Sequence, residues 1–245
     1  MVVNCSDLWN TFYAAFSYRA PCDLSMQRYA DFMAKASQTL PRNKVAMFWS
    51  GTYNIAHEYA DNGKRYVTLE DTLVGYLANQ LSWCGSSSDG ANMTRCPSWA
   101  DCPLEASESF WASASKQFAS SAIGDVYLML DGSRDKPAYS PNSFFGKYEL
   151  PNLQEVDTVV ILVTHNVTEP PKETCTTGSL LELQEDIRSR VFDKRENTFC
   201  KNPRRPHHRC LQLCETGQGF GFPVLRIIEF QDIYTKNTSH VDNII

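Results

Sequence analysis

Residues 156–165 read Val-Asp-Thr-Val-Val-Ile-Leu-Val-Thr-His, and the run Val159, Val160, Ile161, Leu162, Val163 inside them is apolar without a break. A strand with one wet face alternates apolar and polar residues. An unbroken β-branched run instead indicates a strand covered on both faces, as in parallel sheets flanked by helices. Upstream, Val126–Leu130 is a second short β-prone run, closed by the turn signal Asp131-Gly132. Downstream, Leu180, Leu181, Leu183 and Ile187 space out a helix over Ser179–Val191, lying between the central run and a further strand near Thr198. After the breaker Gly-Gln-Gly-Phe-Gly-Phe-Pro (217–223), Val224–Phe230 can form another strand. This alternating order predicts an α/β region over 125–245, with a small, mainly parallel sheet flanked by helices.

The first half, 1–124, reads as mainly helical. Ser6 and Asp7 can cap a segment whose Leu8, Trp9, Phe12, Tyr13 and Phe16 recur at helical spacing until Pro21. A second amphipathic stretch covers Ser25–Leu40. A third starts at Thr68, where Thr-Leu-Glu-Asp has the form of a capping box and Leu73, Tyr76, Leu77 and Leu81 make the expected buried stripe. The boundary between halves is expected near Gly124. The fold class is therefore α/β (α+β), a helical half packed on an α/β half.

The net charge of −5 over 245 residues gives no electrostatic footprint for a nucleic acid. Nine cysteines stand at 5, 22, 84, 96, 102, 175, 200, 210 and 214, without the paired spacing of a zinc ribbon, so disulfides are favoured over a metal site. Asn4, Asn92, Asn166 and Asn237 each open an N-x-Ser/Thr acceptor, and together with the cysteines they point to the secretory pathway. No run approaches the roughly 20 apolar residues of a membrane span. The opening residues do not have the form of an export signal, which with the odd cysteine count suggests an N-terminally incomplete chain. Gly217, Gly219 and Gly221 have the wrong spacing and context for a dinucleotide loop, and no P-loop, nucleophile elbow or His-Glu-x-x-His motif occurs.

Several ordered segments carry a resemblance instead: RNKVAMFWSG (42–51), TLEDTLVGYL (68–77), WCG (83–85), ESFW (108–111) and SFFGKYELPNL (143–153). From about Cys5 to Cys214 the chain resembles the ADP-ribosyl cyclase family, particularly its soluble sea-slug-type members; the residues after Glu215 depart from it. The resemblance implies cleavage of the nicotinamide–ribose bond of NAD, with NAD or NADP as substrate, no cofactor and no metal. It places the active cleft between the two halves. Cationic nicotinamide leaves as a neutral molecule, so the reaction needs a carboxylate beside C1′ rather than a strong acid. By resemblance that carboxylate is Glu149; a surface Glu ending a turn is its structural alternative. Trp49 and Trp111 match two cleft tryptophans that stack on the pyridinium ring, although core packing is the ordinary fate of a tryptophan. Glu70 matches an acid at the nicotinamide, whereas Asp71 is explained by the capping box. Ser50 and Ser115 match contacts to phosphate or ribose. Gly51 stands where receptor-type members carry Arg. Phe144 and Phe145 complete the substrate-binding set.

The family pattern further implies Cys22–Cys102, Cys84–Cys96 and Cys175–Cys200 disulfides, with Cys210–Cys214 a local option and Cys5 unpaired. His57 and His165 are read as buried structural histidines, and Arg204–Arg209 as a solvated face. The leading expectation is cyclic ADP-ribose formation with ADP-ribose and base exchange as side activities. A glycohydrolase giving mainly ADP-ribose and a catalytically silent secreted binding glycoprotein are the rivals, and a homodimer is left open.

Overall fold

The computed structural model describes residues 4–191, apart from Arg42, Asn62, Pro103 and Val167, and the backbone of 198–200 and 224–232. Two compact units emerge, one comprising Met1–Thr39 with Leu69–Ala119, the other Leu40–Thr68 with Ser120–Ile245. The single boundary expected near Gly124 is thus replaced by an exchange of segments. The reason is a strand that the helical reading passed over: β1 (Val45–Ser50) pairs in parallel with β5 (Ile123–Asp131), joining Met47 to Tyr127 and Ser50 to Leu130.

In the sheet unit the strand order is β2-β1-β5-β6-β8-β7, and every pairing is parallel. Here β2 is Tyr66–Val67, β6 Glu155–Asn166, β7 Thr198–Cys200 and β8 Val224–Asp232. The central β6 is buried from Thr158 to His165, as its unbroken apolar run requires. The helix α3 (Tyr53–Ala60) follows β1, and its Ala56 and Ala60 pack with Met47, Met129, Val160 and Leu162. The helix α6 (Ser179–Arg190) buries Leu180, Leu183 and Ile187.

The helical unit is built on rings. α1 (Cys5–Phe16) contributes Phe12 and Phe16, α2 (Ala30–Ala36) Phe32, and α5 (Ala106–Ser121) Phe110. Phe12, Tyr29 and Trp83 all meet Phe110 edge-to-face, with centroids 5.1–5.7 Å apart across this cluster. The indole of Trp83 donates to the Tyr29 hydroxyl at 3.0 Å, satisfying both buried polar tips. Asn4, rather than Ser6 or Asp7, caps α1 by accepting from both their amides, and the helix ends at Phe16, well before Pro21.

The expected stripe on the third helix is corrected. α4 spans only Leu73–Ala78 and buries Val74, Gly75 and Ala78, while Tyr76, Leu77 and Leu81 are exposed. A short 3-10 turn, Leu69–Asp71, takes up the residues assigned to the capping box. Thr72 then caps α4, accepting from the Gly75 amide at 3.1 Å. Starting the helix four residues late rotates the buried face away from the predicted one.

Two disulfides staple this unit: Cys22–Cys102, across 80 residues, and Cys84–Cys96, joining the start of hairpin β3 (Cys84–Ser86) and β4 (Gly90–Asn92) to the chain beyond it. Cys5 is an exposed free thiol. Cys175 is buried; the side chain of Cys200, like all of Cys210 and Cys214, lies outside the described residues, as does the basic run 204–209.

Candidate active site

In a parallel sheet, ligands bind beyond the carboxyl ends of the strands, and β1 delivers Trp49 and Ser50 to that end. Both are half-buried, opposite Met129 and Leu130. Trp49 meets Tyr53 of α3 edge-to-face at 5.3 Å. Between them the chain turns at Gly51, with φ +73°, a conformation that favours glycine. The Thr52 hydroxyl is directed inward to the Met129 carbonyl at 3.2 Å and so does not cap α3.

Glu149 ends a π-helical turn, Phe145–Glu149, in which the Leu150 amide reaches back to the Phe145 carbonyl. Such turns are rare and frequently mark functional sites. Several contacts hold this one. The Ser143 hydroxyl donates to the Ser140 carbonyl at 2.7 Å and accepts from the Gly146 amide at 3.1 Å. The Asn152 amide donates to the Tyr148 carbonyl at 2.9 Å. Gly146 is there for space: an added Cβ would lie 2.6 Å from the Pro141 carbonyl oxygen and 2.7 Å from that of Ser140. Glu149 is only 7% exposed, which excludes the surface-turn alternative.

Phe144, half-buried, leads into the turn and meets Tyr148 at 5.2 Å. Phe145 is 1% exposed and packs on Phe48 of β1 at 5.9 Å. Phe145, expected in the substrate-binding set, thus also seats the Glu149 turn on the strand carrying Trp49 and Ser50.

The remaining candidates belong to the helical unit. Glu70, 8% exposed, lies in the Leu69–Asp71 turn. Gly75 clamps that turn from α4, since a Cβ there would meet the Leu69 carbonyl oxygen at 2.1 Å and the Glu70 Cα at 2.6 Å. On α5, Phe110 turns into the ring cluster while Trp111 and Ser115, one helical turn apart, share another face; both are buried. Glu105 fixes the start of α5, its carboxylate accepting from the Ser107 and Glu108 amides at 2.7 and 3.1 Å. Ser143, Gly146, Gly75 and Glu105 escaped the sequence reading; an isolated Gly inside a helix-like run was the available signal.

No cluster of His, Cys, Asp and Glu suited to a metal occurs among the described residues, and no helix among them is long and apolar enough to cross a membrane.

The model of the ADP-ribosyl cyclase family matches residues 1–218. An Aplysia kurodai protein named ADP-ribosyl cyclase/cyclic ADP-ribose hydrolase is 52% identical over 192 residues, covering 77% of this chain and 68% of the relative. A Mus musculus protein named ADP-ribosyl cyclase/cyclic ADP-ribose hydrolase 1 is 34% identical, covering 86% of this chain and 72% of its own. Among solved structures, an Aplysia cyclase described as complexed with substrate NGD and product cGDPR superposes with a TM-score of 0.72 at 51% identity, over 76% of this chain and 74% of that one. With a parallel sheet, a buried glutamate on a π-helical turn and a family match across most of its length, this chain belongs to the ADP-ribosyl cyclase family.

Proposed function

We propose that this chain converts NAD to cyclic ADP-ribose and nicotinamide, releasing some linear ADP-ribose. One observation of its own carries the reading: a carboxylate withdrawn from solvent at the end of a π-helical turn that is wedged onto the strand bearing Trp49. Relatives named as cyclases, one of them described with a dinucleotide substrate and its cyclic product, support it.

In this reading Trp49 and Trp111 stack on the pyridinium ring, an attraction of about 0.5–2 kcal/mol, and Glu70 accepts a hydrogen bond from the carboxamide. The C1′–nitrogen bond breaks with its electron pair going to nicotinamide, which leaves neutral. Glu149 stabilises the cationic C1′, or bonds to it, and holds the ribose hydroxyls. Ser50 and Ser115 hold phosphate or ribose. The adenine then attacks C1′ to close the ring, or water attacks to give ADP-ribose; Phe144 favours the first by supporting the folded adenine and displacing water. NAD or NADP is substrate here, and no cofactor takes part.

Secretory export is proposed on two grounds: disulfides persist in oxidising compartments, and the glycosylation acceptors Asn4 and Asn166 are exposed. The functional test is incubation with NAD and chromatography of the products. Cyclic ADP-ribose with nicotinamide is expected; nicotinamide with only ADP-ribose would favour the glycohydrolase, and unconsumed NAD would reject an enzyme.

A further inference from the structure

We infer that Arg134 is a substrate-binding residue, its guanidinium supplying the positive charge for the substrate's pyrophosphate at the Ser50–Gly51 turn. This rests on the reading of the chain as an NAD-cleaving enzyme. A Cβ added at Gly51 would lie 2.5 Å from Nη1 of Arg134 and 3.5 Å from its Cζ. The guanidinium therefore lies directly against the Gly51 backbone, and the missing side chain leaves the room it occupies.

The group is held from its other edge. Nε donates to the Pro137 carbonyl at 2.8 Å, and Nη2 donates to the carbonyls of Pro137 and, at 3.1 Å, Ala138. Nη1, the nitrogen at Gly51, has no acceptor among the described residues. Two acids, Asp131 and Glu173, act on Arg134 through their charge, and each has one oxygen hydrogen-bonded to another group. Asp131 accepts from the Ser133 amide at 2.8 Å, and Glu173 accepts from the Ser179 amide at 3.0 Å and from its hydroxyl. Burial lowers the arginine's pKa even though the charges of Asp131 and Glu173 oppose the shift, so the cation keeps a net desolvation cost.

A fixed, half-buried guanidinium with one nitrogen in reserve is the geometry that receives a phosphate oxygen. Its location selects the ligand. Gly51 is two residues beyond Trp49, at the carboxyl end of the same strand. With nicotinamide on Trp49, the group one ribose away is the diphosphate. A loop tie alone would use the Nε–Nη2 edge and gain nothing from placing Nη1 against a glycine.

The test compares the full chain with Arg134→Gln and Arg134→Lys, measuring kcat and KM for NAD together with inhibition by ADP-ribose, which contains the pyrophosphate, and by nicotinamide, which does not. A charge-assisted hydrogen bond predicts that Arg134→Gln raises KM and the ADP-ribose inhibition constant together by about tenfold or more. The nicotinamide constant should move far less, and Arg134→Lys should recover part of the loss. An unchanged KM and ADP-ribose constant would overturn the inference, as would all constants shifting together, the mark of a loop tie. If Arg134→Gln does not fold, Arg134→Lys is judged by the same contrast between the two inhibitors. Failure of the parent chain to consume NAD would instead reject the functional reading on which the inference stands.

Discussion

Replacing Gly146 by Ala should damage catalysis more than stability. The residue sits inside the π-helical turn that ends at Glu149, and its φ is not among the positive ones, so the backbone itself accepts an alanine. In an ordinary helix interior the exchange would gain about 1 kcal/mol. Here the new methyl would lie 2.6 and 2.7 Å from two carbonyl oxygens of the chain at Pro141 and Ser140. Both obstacles are backbone, so relief requires the turn to shift by about 0.5–1 Å to restore ordinary contact. Overpacking of this kind costs about 1–3 kcal/mol; less the propensity gain, the net loss is about 0–2 kcal/mol, or up to roughly 8 °C in melting temperature for a chain of this size. The same displacement at a reacting carboxylate is far more serious, because a misplacement of about 1 Å costs around a hundredfold in rate. Steady-state NAD cleavage and a thermal melt on the same preparation separate the two effects. The expected result is a kcat/KM reduced about 10- to 100-fold in a protein that still melts cooperatively. A kcat/KM within about threefold of the parent would refute the claim that Gly146 sets the position of Glu149.

Phe144→Thr should shift the products toward linear ADP-ribose, read by chromatography, because a small hydroxyl residue neither supports the folded adenine nor displaces water; an unchanged ratio would defeat the steric account. Opening Cys22–Cys102 by a double Cys→Ser exchange releases an 80-residue separation and should cost about 4–5 kcal/mol in a denaturant titration, against roughly 3 for Cys84–Cys96 in the chain-entropy picture. Burial raises the Tyr66 phenol from 10.0 to about 12. Its neutral form is favoured by folding, so the stability it contributes is intact below pH 10 and lost as the pH rises from 10 through 12; Tyr66→Phe should flatten the alkaline limb of a pH–stability curve.

What the sequence disclosed follows from the range of the forces involved. β5 and β6 were legible because burial on both faces writes an unbroken apolar run that needs no knowledge of partners. β1 was not: Val-Ala-Met-Phe-Trp-Ser has the same apolar character, but it is six residues long, lies between helices, and pairs with a strand whose matching residue is 80 positions on, as Met47 with Tyr127. α4 was misread because Thr68 and Thr72 are both competent caps and only packing of Gly75 on Leu69 chooses between them. At the candidate site, residue identities came through resemblance, whereas the π-helical turn did not come at all. One extra residue in a helical turn leaves no periodic signature in so short a segment. The seating of Phe145 on Phe48 and the approach of Arg134 to Gly51 are likewise long-range contacts without local trace.

The central claim is that Glu149 stabilises the one intermediate from which both products arise, and Glu149→Gln tests it most directly. Gln keeps the shape and removes the charge, so the variant should melt like the parent while releasing neither nicotinamide, cyclic ADP-ribose nor ADP-ribose from NAD above background. A folded Glu149→Gln protein that still releases nicotinamide at a rate near the parent's would contradict the account.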